Sequence, residues 1–214
     1  MVYYFTSLCG EYTIYMGKDK YENDELIKYG LPEDVWFHVD DLSSAHVYLR
    51  MKQGMTMDDL TEDLILQCSS LCKANSIAGC KKASVYIVYT RWKNLKKTPG
   101  MVEGQVTYHR PENVRRLKVE KNNPIVKQLD KTRKELYPDL AAEQERRQKE
   151  IQRQKKNEYK RLASEKQKKK LEAQRDKELR SYDRLYDEAY MTSVSQQNAT
   201  VDSTAAEEFE DDFM

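Results

Sequence analysis

Residues 34–50, DVWFHVDDLSSAHVYLR, constrain this chain more than any other stretch. Folded about Leu42, they set Asp34 against Arg50, Val35 against Leu49, Trp36 against Tyr48, Phe37 against Val47 and His38 against His46. Directly opposed residues of an antiparallel pair sit ~5 Å apart at Cβ, so each of these pairs can touch. Alternation along a strand then sorts the side chains. Val35, Phe37, Val47 and Leu49 make an aliphatic face, and Asp34, Trp36, His38, His46, Tyr48 and Arg50 make an aromatic, imidazole and ionic row. Burial alone would not call for the second row.

Charge divides the rest of the 214 residues. Residues 1–120 balance 16 Lys/Arg against 16 Asp/Glu, residues 121–190 carry 21 against 14, and residues 191–214 carry none against 6. The near-neutral total therefore hides a neutral head, a basic rod and an acidic tip, an asymmetry typical of electrostatic interaction segments. Only residues 1–120 hold enough apolar side chains for a core, and a domain of that size is common. The expected organisation is a domain over 1–120, a long charged, coiled-coil-like helix over 121–190 and a disordered acidic tail over 191–214.

No basic segment followed by an apolar core opens the chain, and no uncharged apolar run approaches the ~20 residues that span a bilayer. The reading is an intracellular chain, cytoplasmic, nuclear or both. Cys9, Cys68, Cys72 and Cys80 lack the CxxC pairing of zinc sites and read as reduced thiols.

Val2–Ser7 and Tyr12–Met16 read as strands around Gly10. Asn23 is the expected N-cap of a short helix ending near Gly30. Thr56 or Asp58 opens a second helix carrying Leu60, Leu64, Cys68 and Leu71 and ending near Gly79. Ala83–Trp92, apolar on both parities, is the expected central strand. Gln105–His109 and Val114–Val119 are short final strands. The pattern predicts an α+β fold, a compact mixed or antiparallel sheet with two helices. From Leu140 to about Tyr190 there is neither Pro nor Gly, and Glu143/Arg147, Glu145/Lys149, Glu165/Lys169 and Asp176/Arg180 are spaced to pair along a helix. The apolar stripe is too thin for a long coiled coil, although Leu179, Tyr182, Tyr186 and Ala189 keep heptad-like spacing for about two turns. The favoured picture is a solvated helix that pairs near its end or binds a partner.

Three chemistries compete. His38 and His46 with Asp40 and Asp41 supply two imidazoles without an obvious third ligand, so no metal is expected. Ser43 and Ser44 near His46 lack an oxyanion device, and no GxxxxGK[ST] or GxGxxG loop occurs, so no enzyme signature is found and no cofactor or small-molecule substrate is expected. Nucleic-acid binding is better supported. Lys18 and Lys20 beside Tyr21, next to a helix start, suit a phosphate. Arg91, Lys96 and Lys97 with Trp92 and Lys93 combine cations with an indole that can stack a base; the competing reading is a solvated surface around one packed Trp. The basic helix, with 15 Lys/Arg and 6 Asp/Glu between Arg146 and Arg180, fits four roles: salt-sensitive binding of polyphosphates, peripheral contact with an anionic membrane, nuclear import, or a spacer.

Three blocks together resemble the NFACT-R family. The first is Gly17-Lys18 through Asn23-Asp24 with Leu26. The second is Asp34-Val35-Trp36-Phe37-His38-Val39 with Ser44-Ala45-His46-Val47. The third is Val88-Tyr89-Thr90, Lys96-Lys97, Pro99-Gly100 and Val106-Thr107-Tyr108. The chain departs from the family pattern in inserting Met101–Gly104 before the Gln105 strand. The resemblance, over about residues 1–120, implies an α+β fold and a binding role described as RNA-binding, without catalysis. The expectation is therefore a non-enzymatic nucleic-acid-binding protein, for RNA or DNA, with Lys18, Lys20, Tyr21, Trp36, His38, His46, Arg91, Lys96 and Lys97 as candidate contacts. The alternative is an adaptor that binds a protein through residues 140–190, at a membrane surface or elsewhere.

Overall fold

A computed structural model describes residues 1–180 together with Thr192 and Ser195. In chain order the elements are β1 (Val2–Thr6), β2 (Thr13–Gly17), α1 (Lys20–Tyr29), β3 (Asp34–Val39), β4 (Val47–Arg50), α2 (Glu62–Ala74), β5 (Ser84–Arg91), β6 (Leu95–Lys96), β7 (Thr107–Tyr108), β8 (Arg115–Glu120), α3 (Asn123–Asp130), β9 (Lys134–Leu136) and α4 (Leu140–Arg180). Seven strands form one antiparallel sheet in the order β8-β5-β3-β4-β2-β1-β9, and β6 and β7 make a separate ribbon. The fold is α+β.

The hairpin register is the one the sequence dictates: Asp34 opposes Arg50, Val35 Leu49, Trp36 Tyr48 and Phe37 Val47. The ladder ends there, and His38 and His46 meet through their rings, with centroids 4.9 Å apart. At the tip Ser44 Oγ accepts from the Val39 amide at 3.0 Å, and Asp41 takes φ +58, a left-handed conformation that Asp tolerates.

The sheet is covered on both faces. On one, Phe5, Ile14, Val35, Phe37 and Leu49 pack beneath Leu64, Cys68, Leu71 and Cys72 of α2 and Leu129 of α3. On the other, Val2, Tyr15, Trp36, Tyr48 and Val88 meet Leu26 of α1 and Leu95, with Trp92, Tyr108 and Leu140 partly buried beside them. At ~25 cal/mol per Å² of apolar area removed from water, these two layers carry the stability of the head. All four cysteines are free, with Cys68 and Cys72 buried.

Several expected boundaries move. Asp19, not Asn23, caps α1, its carboxylate accepting from the amides of Tyr21 and Glu22; Asn23 is 7% exposed, inside the helix. Thr56 caps only a short 3-10 turn over Met57–Asp59, and α2 starts after Thr61 and stops at Ala74, where the Asn75 side chain bonds back to the Leu71 carbonyl. The Gln105–His109 strand shrinks to Thr107–Tyr108, because the preceding residues turn twice: Met101 N bonds to Thr98 O and Gln105 N to Val102 O. The two helices expected within residues 1–120 are α1 and α2, and a further short helix, α3, follows at Asn123–Asp130.

The head also passes residue 120. Met1–Glu150 form one compact unit. In it β9 pairs with β1, and Leu129 of α3 is fully buried. Pro124 lies in the first turn of α3, where its missing N–H costs the helix no hydrogen bond. Glu143 and Arg147, four apart on α4, bind other partners: Glu143 takes Arg50 at 2.5 Å and the Arg147 Nε donates to Glu33 at 2.9 Å. The rest of α4, in the second unit, is a helix with no buried residue, its Arg161 and Glu165 paired at 3.9 Å. The stripe at Tyr182, Tyr186 and Ala189 and the acidic tail lie outside the described residues. No helix among the described residues is long and apolar enough to cross a membrane.

Candidate nucleic-acid interface

The polar row of the hairpin is an interior, and that sets what it can do. Asp34 is fully buried. It accepts from Tyr15 Oη at 2.6 Å, from the Leu31 amide at 2.7 Å and from Arg50 Nε at 3.1 Å. Burial opposes the charge on Arg50, but Asp34 outweighs it and holds the guanidinium well above its ordinary pKa. Three donors on one carboxylate are what a buried charge needs.

Further along, Trp36 is 1% exposed and His46 2%. Trp36 Nε1 donates to His46 Nδ1 at 2.9 Å, which fixes the His46 proton on Nε2. Burial, then the neighbouring His38, pushes the His46 pKa down to about 3. His38 stacks on Trp36 with centroids 5.3 Å apart and planes 6° from parallel, and burial lowers its pKa too. Both imidazoles are therefore held towards neutrality and offer π surface and dipoles instead of cations.

The rings floor a cavity of about 650 Å³. Its walls include Lys20 at the start of α1, Asp40 and Ser43 at the hairpin tip, Val88 of β5, Gly104 and Tyr108. Val102, Glu103 and Gly104 close one side. Gly104 takes φ +77, and its amide donates to Asp24 at 2.8 Å. The same carboxylate binds Lys97 Nζ, so that lysine ties the loop to α1. Lys20 is exposed, 3.5 Å from Glu103 and 4.9 Å from the ring centroid of Tyr21. Lys18 and Tyr21 are exposed beside it. The α1 amides expected to hold a phosphate are already bonded to Asp19, so an anion at this corner meets lysines and not a free helix end.

Four of the nine expected residues, Lys20, Trp36, His38 and His46, thus line one cavity. Arg91 lines another, of about 490 Å³, with Lys93, Arg110 and Arg115. Lys96 is exposed on β6. Trp92 is no free stacking surface: its Nε1 donates to Ile27 O at 2.8 Å, and its indole lies so close over Gly30 that a Cβ there would sit 2.2 Å from Nε1. Asp40, weighed in the sequence only as a metal ligand, is a wall of the first cavity, and Tyr108 and Gly104 escaped notice because they meet only once the 92–114 excursion has folded over the sheet. So did Tyr86 of β5, 46% exposed, with the guanidinium of Arg116 of β8 4.1 Å from its ring centroid. Among the described residues no three of His, Cys, Asp and Glu are grouped to hold a metal ion.

A family model described as NFACT protein RNA binding domain matches residues 1–110. The chain is 51% identical over 197 residues to coiled-coil domain-containing protein 25 of Mus musculus, covering 90% of this chain and 95% of that one. It is 58% identical over 153 residues to the Danio rerio protein of that name, covering 70% and 74%. Similarity of 29% over 97 residues reaches the Rqc2 homolog RqcH of Bacillus subtilis, covering 45% of this chain and 16% of that one. Among solved structures, the C-terminal part of the fibronectin/fibrinogen-binding protein from Streptococcus suis superposes with a TM-score of 0.51 at 24% identity, over 59% of this chain and 48% of that one. That last likeness is one of fold.

Proposed function

The chain belongs to the NFACT RNA-binding domain family, and on that premise we propose that it is a non-catalytic RNA-binding protein whose strand enters at the Lys20 cavity. Lys18 and Lys20 neutralise phosphate. Tyr21, His38 and Tyr108 offer π surface at and around the rim. Trp36 and His46, buried, hold the floor rigid. Lys97 acts through the Met101–Gly104 loop, and Arg91 and Lys96 extend the basic surface beyond the cavity. The lysines between Arg146 and Arg180 add affinity that falls with salt.

The observation that carries this reading is convergence: Lys20, His38, Tyr108 and the Trp36–His46 pair line one cavity of about 650 Å³ within the residues the family model covers. Most protein–nucleic acid hydrogen bonds go to the backbone, and base-facing π surface adds to them.

The test is a titration of the full chain with single-stranded RNA and with duplex DNA at two salt concentrations. Replacing both Lys18 and Lys20 with Ala should weaken RNA binding and lower the salt slope by about 1 for each phosphate that is no longer neutralised. If the double variant binds as tightly as wild type, RNA does not touch this corner. A second reading, a protein partner on the charged helix, rests on Tyr159, Leu162, Leu171 and Leu179, each more than half exposed. A pull-down that depends on Leu162 and Leu171 but not on Lys20 would favour it.

A further inference from the structure

The sheet face that carries the cavity is covered by α1 and the β6–β7 ribbon over its middle, but its β5–β8 corner lies open. There Tyr86 stands 46% exposed on a strand whose other residues from Val85 to Thr90 are buried. Lys118 lies directly opposite Tyr86 in register, and Arg116 lies opposite Val88, itself a wall of the cavity. Strand alternation turns Arg116 and Lys118 to the same face as Tyr86. The Arg116 guanidinium rests over the phenol at 4.1 Å from its centroid, while its Nη2 is held 2.6 Å from Oδ2 of Asp40, another wall of the cavity. Half of the Arg116 side chain, 53%, stays in solvent. Its plane is therefore supported from beneath by Tyr86, fixed at its edge by Asp40, and open outward. Glu120, opposite Ser84, is the acidic group on this side of β8.

We propose that Tyr86, Arg116 and Lys118 form a stacking platform for an unpaired base of single-stranded RNA, contiguous with the Lys20 cavity and resting on the RNA-binding reading above. An arginine plane pinned on a tyrosine presents a flat, weakly hydrated cation of the kind on which splayed bases stack. Lys118, one strand away, meets the phosphate of the stacked nucleotide. Duplex offers no such face, because its bases are already stacked on each other. The platform thus makes the ligand a single strand that crosses from the open corner into the cavity.

The experiment compares the full chain on a short oligouridylate, on the same strand with its bases removed, and on duplex RNA. Wild type should prefer the base-bearing strand to both others. Arg116→Lys keeps the charge and loses the plane, and should weaken the base-bearing strand roughly tenfold while leaving the abasic strand unchanged. Tyr86→Leu, which keeps an apolar cover on the sheet, should do the same to a smaller degree. An Arg116→Lys variant that retains the preference, or that weakens both strands alike, overturns the platform. So does a wild type that binds the two single strands equally, though RNA binding then stands. A wild type that binds neither strand overturns the RNA reading itself.

Discussion

The two faces of the sheet both bury the centre of the hairpin but are differently built. The face beneath α2 and α3 is aliphatic and sulfur-bearing, with Leu49, Leu71 and Cys72 at zero exposure. Any set of similar volume would fill it. The opposite face buries Asp34, Tyr15, Tyr48, Trp36 and His46 to the same extent but holds its charged and imidazole groups with specific partners. Both faces bury apolar surface that stabilises the sheet. The second gives it one arrangement, and its polar seam runs out directly into the cavity.

Cutting the chain after Glu120 should do the most damage, because it injures both faces at once. The cut strips Leu129 from the aliphatic face, removes β9 from β1, and takes Leu140 and Glu143 from the polar face. That fragment should lose cooperative thermal unfolding by circular dichroism, while a cut after Glu150 should keep it. Next in size come single substitutions, one for each face. Asp34→Ala leaves Arg50 without its main counter-ion and should cost about 3–5 kcal/mol in urea unfolding. Leu71→Ala, a cavity in the aliphatic layer, should cost about 2–5 kcal/mol. Equal losses with altered RNA affinity only for Asp34→Ala would tie binding to the polar face alone. Gly30→Ala drives a methyl into the Trp92 indole and should cost about 1–3 kcal/mol, as overpacking does.

Acid separates the faces by charge. Unfolded, His46 takes a proton near its ordinary pKa of 6.5, but in the folded chain it resists protonation down to about 3. Between those values the unfolded state binds more protons, so stability falls as pH is lowered through the window. His46→Gln should flatten that fall in urea midpoints measured across it; an unchanged profile would show that other groups govern acid sensitivity. The smallest effect belongs to Tyr48. Its hydroxyl is buried without a hydrogen-bond partner, so Tyr48→Phe should leave stability within about 1 kcal/mol of wild type or raise it.

The hairpin register was legible because the residues about Leu42 repeat their types in reverse order, a local signal that needs no knowledge of the remaining chain. The burial of its polar row was not, since the cover comes from α1 and residues 92–114, and nothing in the hairpin names them. Asn23 and Asp19 are both good caps, and only the fold decided between their carbonyl and carboxylate oxygens. The charged stretch after residue 120 hid its share of the head because a single fully buried side chain, Leu129, anchors α3. Likewise Glu143 and Arg147 have the spacing of a helical pair, but each finds a partner on the sheet side of the head. Of the candidate site, Lys20 and His38 could be read directly. Tyr108 depended on the path of residues 101–106, and the Tyr86–Arg116 pair depended on the register between β5 and β8.

At both ends the sheet is open, which leaves a row of unpaired amides and carbonyls along β8 and β9, a template on which another chain could zip. Arg115, Arg116, Lys118 and Glu120 on one edge and Lys134 and Glu135 on the other place charge along both. Two copies that met edge to edge would have to desolvate those charges, so the same side chains that offer the corner of β8 to an anionic strand also discourage the head from polymerising with itself.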